Sequence, residues 1–134
     1  TMWCSSQCHN VFSTNCSCGP VWIPSTASQD MNSFHGKMLR INPDGSAPAD
    51  NPYITTSGSV EYAQRYIYAL GVRNPYSFQF RPGTMDIFLN DIGSSESSQR
   101  EEINKVTPSG NKNLGYPAKE GISNDNQYND PIYA

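Results

Sequence analysis

Short runs of alternating apolar and polar residues dominate this chain. "YSFQF" (76–80) alternates strictly, and "MDIFLNDI" (85–92) sets Met85, Ile87 and Leu89 against Asp86, Phe88 and Asn90. A period of two places successive side chains on opposite faces of a strand. "RYIYAL" (65–70) is β-branched and aromatic, "GKMLRIN" (36–42) is a short apolar-centred strand, and "EEINKV" (101–106) is a weaker one. "LGYPAKEG" (114–121) reads as a final extended piece. Between them, "NPDGSAPADNPY" (42–53), "RPGT" (81–84) and "TPSGNKN" (107–113) are turn signals, and "TTSGSVEYAQ" (55–64) reads as a loop. No stretch carries the sustained apolar spacing of an amphipathic helix. The chain is therefore all-β, with short strands expected in an antiparallel meander. One four-stranded sheet of this kind is what a propeller blade looks like in sequence, and half a sandwich looks much the same.

Composition narrows the class. At 134 residues the chain has the length of one modest domain, and its apolar share of 36% is low while Gly and Pro reach ten each. Eight Tyr make it too aromatic for a simply disordered segment. A net charge of −3 with no run of Lys or Arg leaves no footprint for nucleic acid. No apolar segment approaches the length that spans a bilayer. Thr1 is not an initiator and the polar tail ends without a terminating signal, so a processed precursor or an excerpt of a longer chain is expected.

The cysteines divide the chain in two. Cys4, Cys8, Cys16 and Cys18 all fall in residues 1–33, a Ser- and Thr-rich segment with little periodicity, whereas the strand pattern occupies 34–134. The Cys16-x-Cys18 spacing is tight for half of a zinc site, and an even number of Cys in such company favours two disulfides in an oxidising compartment. Asn15-Cys16-Ser17 is an N-glycosylation sequon, which agrees with secretion if the source is eukaryotic. The expected location is extracellular or otherwise extracytoplasmic.

One interruption stands out. "YALGVRNPYSFQF" (68–80) breaks a good strand at Gly71 and holds Arg73 and Asn74 side by side before Pro75. Two readings stay open: the pair serves a ligand, or it serves the turn, since Asn before Pro opens turns and Arg satisfies carbonyls. Asp91 reads as a hydrogen-bond acceptor rather than a metal ligand. Glu101 and Glu102, adjacent on a strand, face opposite ways and make no carboxylate dyad. Tyr62, Tyr66, Tyr68 and Tyr76 read as strand-packing residues.

Five elements, in order, carry a resemblance. "GKMLRINPDGSAPADNPY", "YIYALGVRNPYSFQF", "DIFLNDIG", "EEINKV" and "NKNLGYPAKEG" closely resemble successive motifs of the glucose/sorbosone dehydrogenase family. That family includes soluble quinoprotein sugar dehydrogenases and hedgehog-interacting-protein-like proteins. The resemblance implies part of a six-bladed β-propeller, about one full blade and the edge of another, with the remaining blades as partners. It implies that Arg73 and Asn74 contact the quinone oxygens of pyrroloquinoline quinone (PQQ), and that Gly93 and Ser94 offer backbone oxygens to calcium. The catalytic base of the enzymatic members is a histidine well upstream of "GKMLR"; His9 and His35, the two histidines present, match no such position. The loop after Gly93 is also longer than the family spacing. Together with the extra Cys, these departures favour a secreted binding or architectural module with a protein or glycan partner. The alternative is PQQ- and calcium-dependent oxidation of an aldose, with the base outside this chain.

Overall fold

The computed structural model describes residues 23–54, 62–93, 100–123 and 125–134. Cys4, Cys8, Cys16, Cys18, Asn15 and Ser94 lie outside the described residues, as does most of the 55–64 loop. Six strands form: β1 Lys37–Leu39, β2 Ile67–Leu70, β3 Pro75–Phe80, β4 Ile87–Asp91, β5 Glu102–Val106 and β6 Lys112–Asn113. The only helical pieces among the described residues are two short 3-10 turns, Ser25–Ser28 and Gln64–Tyr66. No helix among them is long and apolar enough to cross a membrane.

The strands make two three-stranded sheets rather than one meander, ordered β1-β2-β6 and β3-β4-β5. The second is the antiparallel meander that alternation predicts. The first departs from it, because β6 runs parallel to β2, with Ala69 opposite Lys112 and Leu70 opposite Asn113. The chain leaves β5 through Gly110 (φ 59°) and Asn111 (φ 53°), and this left-handed pair turns it back alongside β2. The sixth strand thus falls within the predicted turn "TPSGNKN". The predicted extended piece after it is itself a turn, closed by the Lys119 N–H donating to the Gly115 carbonyl at 3.0 Å.

The sheets face each other through apolar residues. Tyr68 and Ala69 of β2 pack with Ile87 and Val106, and Val72, Leu89 and Leu114 form an adjoining cluster, with Met38 of β1 touching both. β2 is buried along its whole length, as a strand covered on both faces must be. Across β4 and β5 the inward pairs are Ile87–Val106, Leu89–Asn104 and Asp91–Glu102. One inner face therefore grades from fully apolar to fully acidic along three successive pairs.

β3 breaks the expectation for an alternating strand. All six of its residues are exposed, including Tyr76 (78%), Phe78 (59%) and Phe80 (48%). It is an edge strand, and nothing among the described residues covers its aromatic face. Met85 is also exposed, and β4 begins only at Ile87.

Residues 25–37 are tied to this body through polar contacts. Lys37 Nζ donates to the carbonyls of Ala27 and Ser28 at 2.8 Å and of His35 at 2.9 Å. Ser28 Oγ donates to the Tyr116 carbonyl at 2.6 Å, and Gln29 exchanges side-chain hydrogen bonds with Asn113.

Candidate functional site

The site grows out of the interruption at Gly71. Its φ of 77° lies in the left-handed region, and a Cβ there would sit 2.6 Å from both Asn113 Oδ1 and Gly115 N. Only glycine satisfies both constraints. The Gly71 carbonyl then accepts the Tyr116 N–H at 3.1 Å, which draws the turn after β6 against the strand break.

Asp91, at the end of β4, closes the same loop from the other side. Its Oδ2 accepts the Arg73 backbone N–H at 2.9 Å and its Oδ1 accepts that of Asn74 at 2.6 Å. The Ile92 N–H donates to the Asn74 carbonyl at 3.1 Å. Burial raises the Asp91 carboxyl above the usual carboxylate range, the two N–H donors pull it back, and neighbouring Glu102 pushes it up again. Asp91 is the acceptor expected from the sequence. Glu101 is exposed and Glu102 buried, so the pair faces opposite ways as alternation requires.

The Arg73 side chain is engaged on two edges. Nη1 donates to the carbonyls of Ile92 (2.9 Å) and Gly93 (2.8 Å), Nε lies 3.3 Å from Glu120 Oε1, and the guanidinium stands 5.9 Å from the Tyr116 ring centroid. Arg73 thus satisfies carbonyls of the blade, as the structural reading of the pair expects. Nη2, with two further N–H groups, donates no hydrogen bond among the described residues. Asn74 is exposed at its shoulder.

Sequence reasoning assigned no role to Glu102, Tyr116, Lys119 or Glu120. Glu102 accepts the Gly121 N–H and the Asn104 Nδ2 group (3.0 Å), and Lys119 pairs with Asp130. The "KEG" of "NKNLGYPAKEG" was the available signal, since it falls in a motif already recognised. The cavity among Arg73, Asp91, Glu102, Tyr116 and Glu120 measures about 10 Å³, room for one water. No group of three or more His, Cys, Asp or Glu among the described residues is placed to hold a metal.

The arrangement is that of an all-β scaffold holding an arginine–asparagine pair at a loop between two sheets. The glucose/sorbosone dehydrogenase family profile matches residues 14–132, and the chain belongs to that family. It is 34% identical over 90 residues to an aldose sugar dehydrogenase of Escherichia coli and 35% identical over 100 residues to quinoprotein glucose dehydrogenase B of Acinetobacter calcoaceticus. These alignments take in 67% and 75% of this chain but only 22% and 18% of those proteins. Its fold is similar to a Thermus thermophilus oxidoreductase (glucose dehydrogenase), with TM-score 0.68 and 30% identity. It is also similar to the PQQ-bound aldose sugar dehydrogenase of Streptomyces coelicolor, with TM-score 0.63 and 29% identity. Each superposition covers 81% of this chain, and 32% and 28% of the respective structures. The two sheets match part of these six-bladed propeller sugar dehydrogenases.

Proposed function

We propose that this chain is the part of a PQQ-dependent aldose dehydrogenase that presents Arg73 and Asn74 to the quinone. The observation that carries this reading is the Arg73 guanidinium, held through Nη1 by two carbonyls and ion-paired with Glu120, while Nη2 donates no hydrogen bond among the described residues. A planar, permanently charged fork suits paired quinone and carboxylate oxygens, and exposed Asn74 adds neutral donors beside it. The names of the relatives favour this oxidative role over a binding or architectural one.

The chemistry that the quinone supplies when bound is acceptance of two electrons from the aldose. Arg73 would place positive charge where negative charge develops, without reorganising at that moment. Asn74 would orient the same edge. Gly93 O already accepts from Arg73 and keeps one lone pair, so it offers a calcium ion one of the two expected carbonyls. The proton-accepting base belongs to a part of the propeller outside this chain.

The uncovered aromatic face of β3 fits the same reading. Tyr76, Phe78, Phe80 and Met85 face Leu39 and Ile41 across an open groove of about 790 Å³. In a propeller of which this chain is roughly one blade and the edge of another, the neighbouring blade of the parent polypeptide seats there. An extracytoplasmic location, supported by the Cys-rich segment and the Asn15 sequon, belongs to this proposal too.

The test is direct. The full-length protein, supplied with PQQ and calcium, should show a change in quinone absorbance on adding an aldose. No change with any aldose overturns the reading.

A further inference from the structure

We infer that Asp91 is a positioning residue for Asn74: its carboxylate stops the β3–β4 ladder one step short, so that the Asn74 side chain meets the quinone beside Arg73. This rests on the cofactor reading above.

The ladder between the two strands is left half closed at its end. The Ile92 N–H donates to the Asn74 carbonyl at 3.1 Å, one half of the pair of bonds that opposed antiparallel residues exchange. The other half is diverted. The Asn74 N–H goes to Asp91 Oδ1 at 2.6 Å, and the Ile92 carbonyl accepts Arg73 Nη1 at 2.9 Å instead. Asp91 Oδ2 takes the Arg73 N–H as well. The buried carboxylate thus outcompetes a backbone carbonyl for Asn74 and leaves that carbonyl to the guanidinium. Without it, the ladder can close by one more step, with the Asn74 N–H on the Ile92 carbonyl. That step turns the Asn74 peptide and takes a carbonyl from Arg73.

Asn74 depends on this arrangement more than Arg73 does. Arg73 is tethered through its own side chain to the carbonyls of Ile92 and Gly93. The Asn74 side chain is exposed and makes no hydrogen bond among the described residues, so its backbone alone sets where it lies. Pro75 confines Asn74 to extended backbone but leaves open where that peptide sits. Asp91 and Ile92 decide it.

The experiment is a double-mutant cycle in the full-length protein: wild type, Asn74→Ala, Asp91→Ala and the two together. Quinone affinity is read by absorbance titration, and exchange of the Asn74 N–H by NMR in the cofactor-free protein. Each single change should weaken quinone binding by about tenfold, the loss of one hydrogen bond. The double variant should bind no more weakly than Asp91→Ala, because a displaced Asn74 has nothing left to lose. Asp91→Asn, which keeps one acceptor, should recover part of the affinity. Val106→Ala, a core change away from the loop, should lower stability and leave quinone affinity unchanged. Losses that multiply to about a hundredfold in the double variant overturn the inference, as does wild-type affinity in Asp91→Ala or in Asn74→Ala. An equal loss of affinity in Val106→Ala also overturns it, since destabilisation would then explain both. Each of these leaves the cofactor reading intact, whereas a wild-type protein that takes up no quinone overturns both. Should Asp91→Ala not fold, the wild type decides: slow exchange of the Asn74 N–H, on an exposed residue, supports the inference, and fast exchange overturns it.

Discussion

Asp91 Oδ2 accepts the backbone N–H of Arg73 at 2.9 Å, although the two residues belong to different strand ends. The other carboxylate oxygen takes the next N–H along, that of Asn74, so one side chain fixes the backbone beneath both candidate ligand residues. A carboxylate suits this task because it is acceptor-only on both oxygens. Asp91→Asn keeps the shape but turns one acceptor into a donor facing an N–H. In the full-length protein it should cost about 1–3 kcal/mol of stability, the range for a buried unsatisfied donor. Urea unfolding measures it, and an unchanged midpoint would show that the clamp is dispensable.

The same carboxyl predicts a pH dependence. Burial raises its pKa in the folded state, so the native protein takes up this proton before the unfolded chain does. Stability contributed by Asp91 is full below the unfolded value and is lost as pH rises through the raised folded value. Stability measured across the acidic range should therefore carry a component that Asp91→Asn removes. Parallel profiles for wild type and variant would contradict the assignment.

Lys37 titrates in the opposite sense. Burial pushes its ammonium down to about 8, with Asp30 pulling the other way. Between that value and the unfolded 10.5 the native state has released a proton that the unfolded chain retains, so stability from this group rises with pH over that window. Its Nζ resonance should titrate near 8, well below an exposed lysine. A midpoint above 10 would mean that the three carbonyl partners outweigh burial.

Gly71→Ala should be among the most damaging single changes in the chain. A left-handed φ and a 2.6 Å approach to both Asn113 and Gly115 leave the new methyl group nowhere to go. A loss above about 2 kcal/mol is expected, together with weaker quinone uptake, because the displaced loop carries Arg73. Thermal melting and quinone titration of the same sample test both parts.

Phe78→Ala separates a covered β3 face from an open one. If a neighbouring blade of the parent polypeptide seats there, the substitution should cost about 3–5 kcal/mol in the full-length protein, as for a core aromatic. A cost within about 0.5 kcal/mol would place Phe78 in solvent and remove the blade-packing reading.

Local patterns settled much of this protein in advance. Alternation marked β3, β4 and β5, a break at Gly71 marked the loop, and ordered motifs gave the family. These features are encoded by near neighbours: a period of two, a φ that only glycine adopts easily, and a proline that ends a pairing. The tertiary structure alone decided the rest. It paired β6 with β2 in parallel through a turn that composition marks only as a turn. It buried Glu102, Asn104 and Lys37, whose polarity alone suggests exposure. It also brought Glu120, far along the chain in the turn after β6, to Arg73. Such contacts depend on which surfaces close over which others, and a side chain's partner across two sheets leaves no trace in its own neighbourhood. The sequence located Arg73 and Asn74, but only the packing of the Gly71 loop against Asp91, Gly93 and Glu120 determined how they are held.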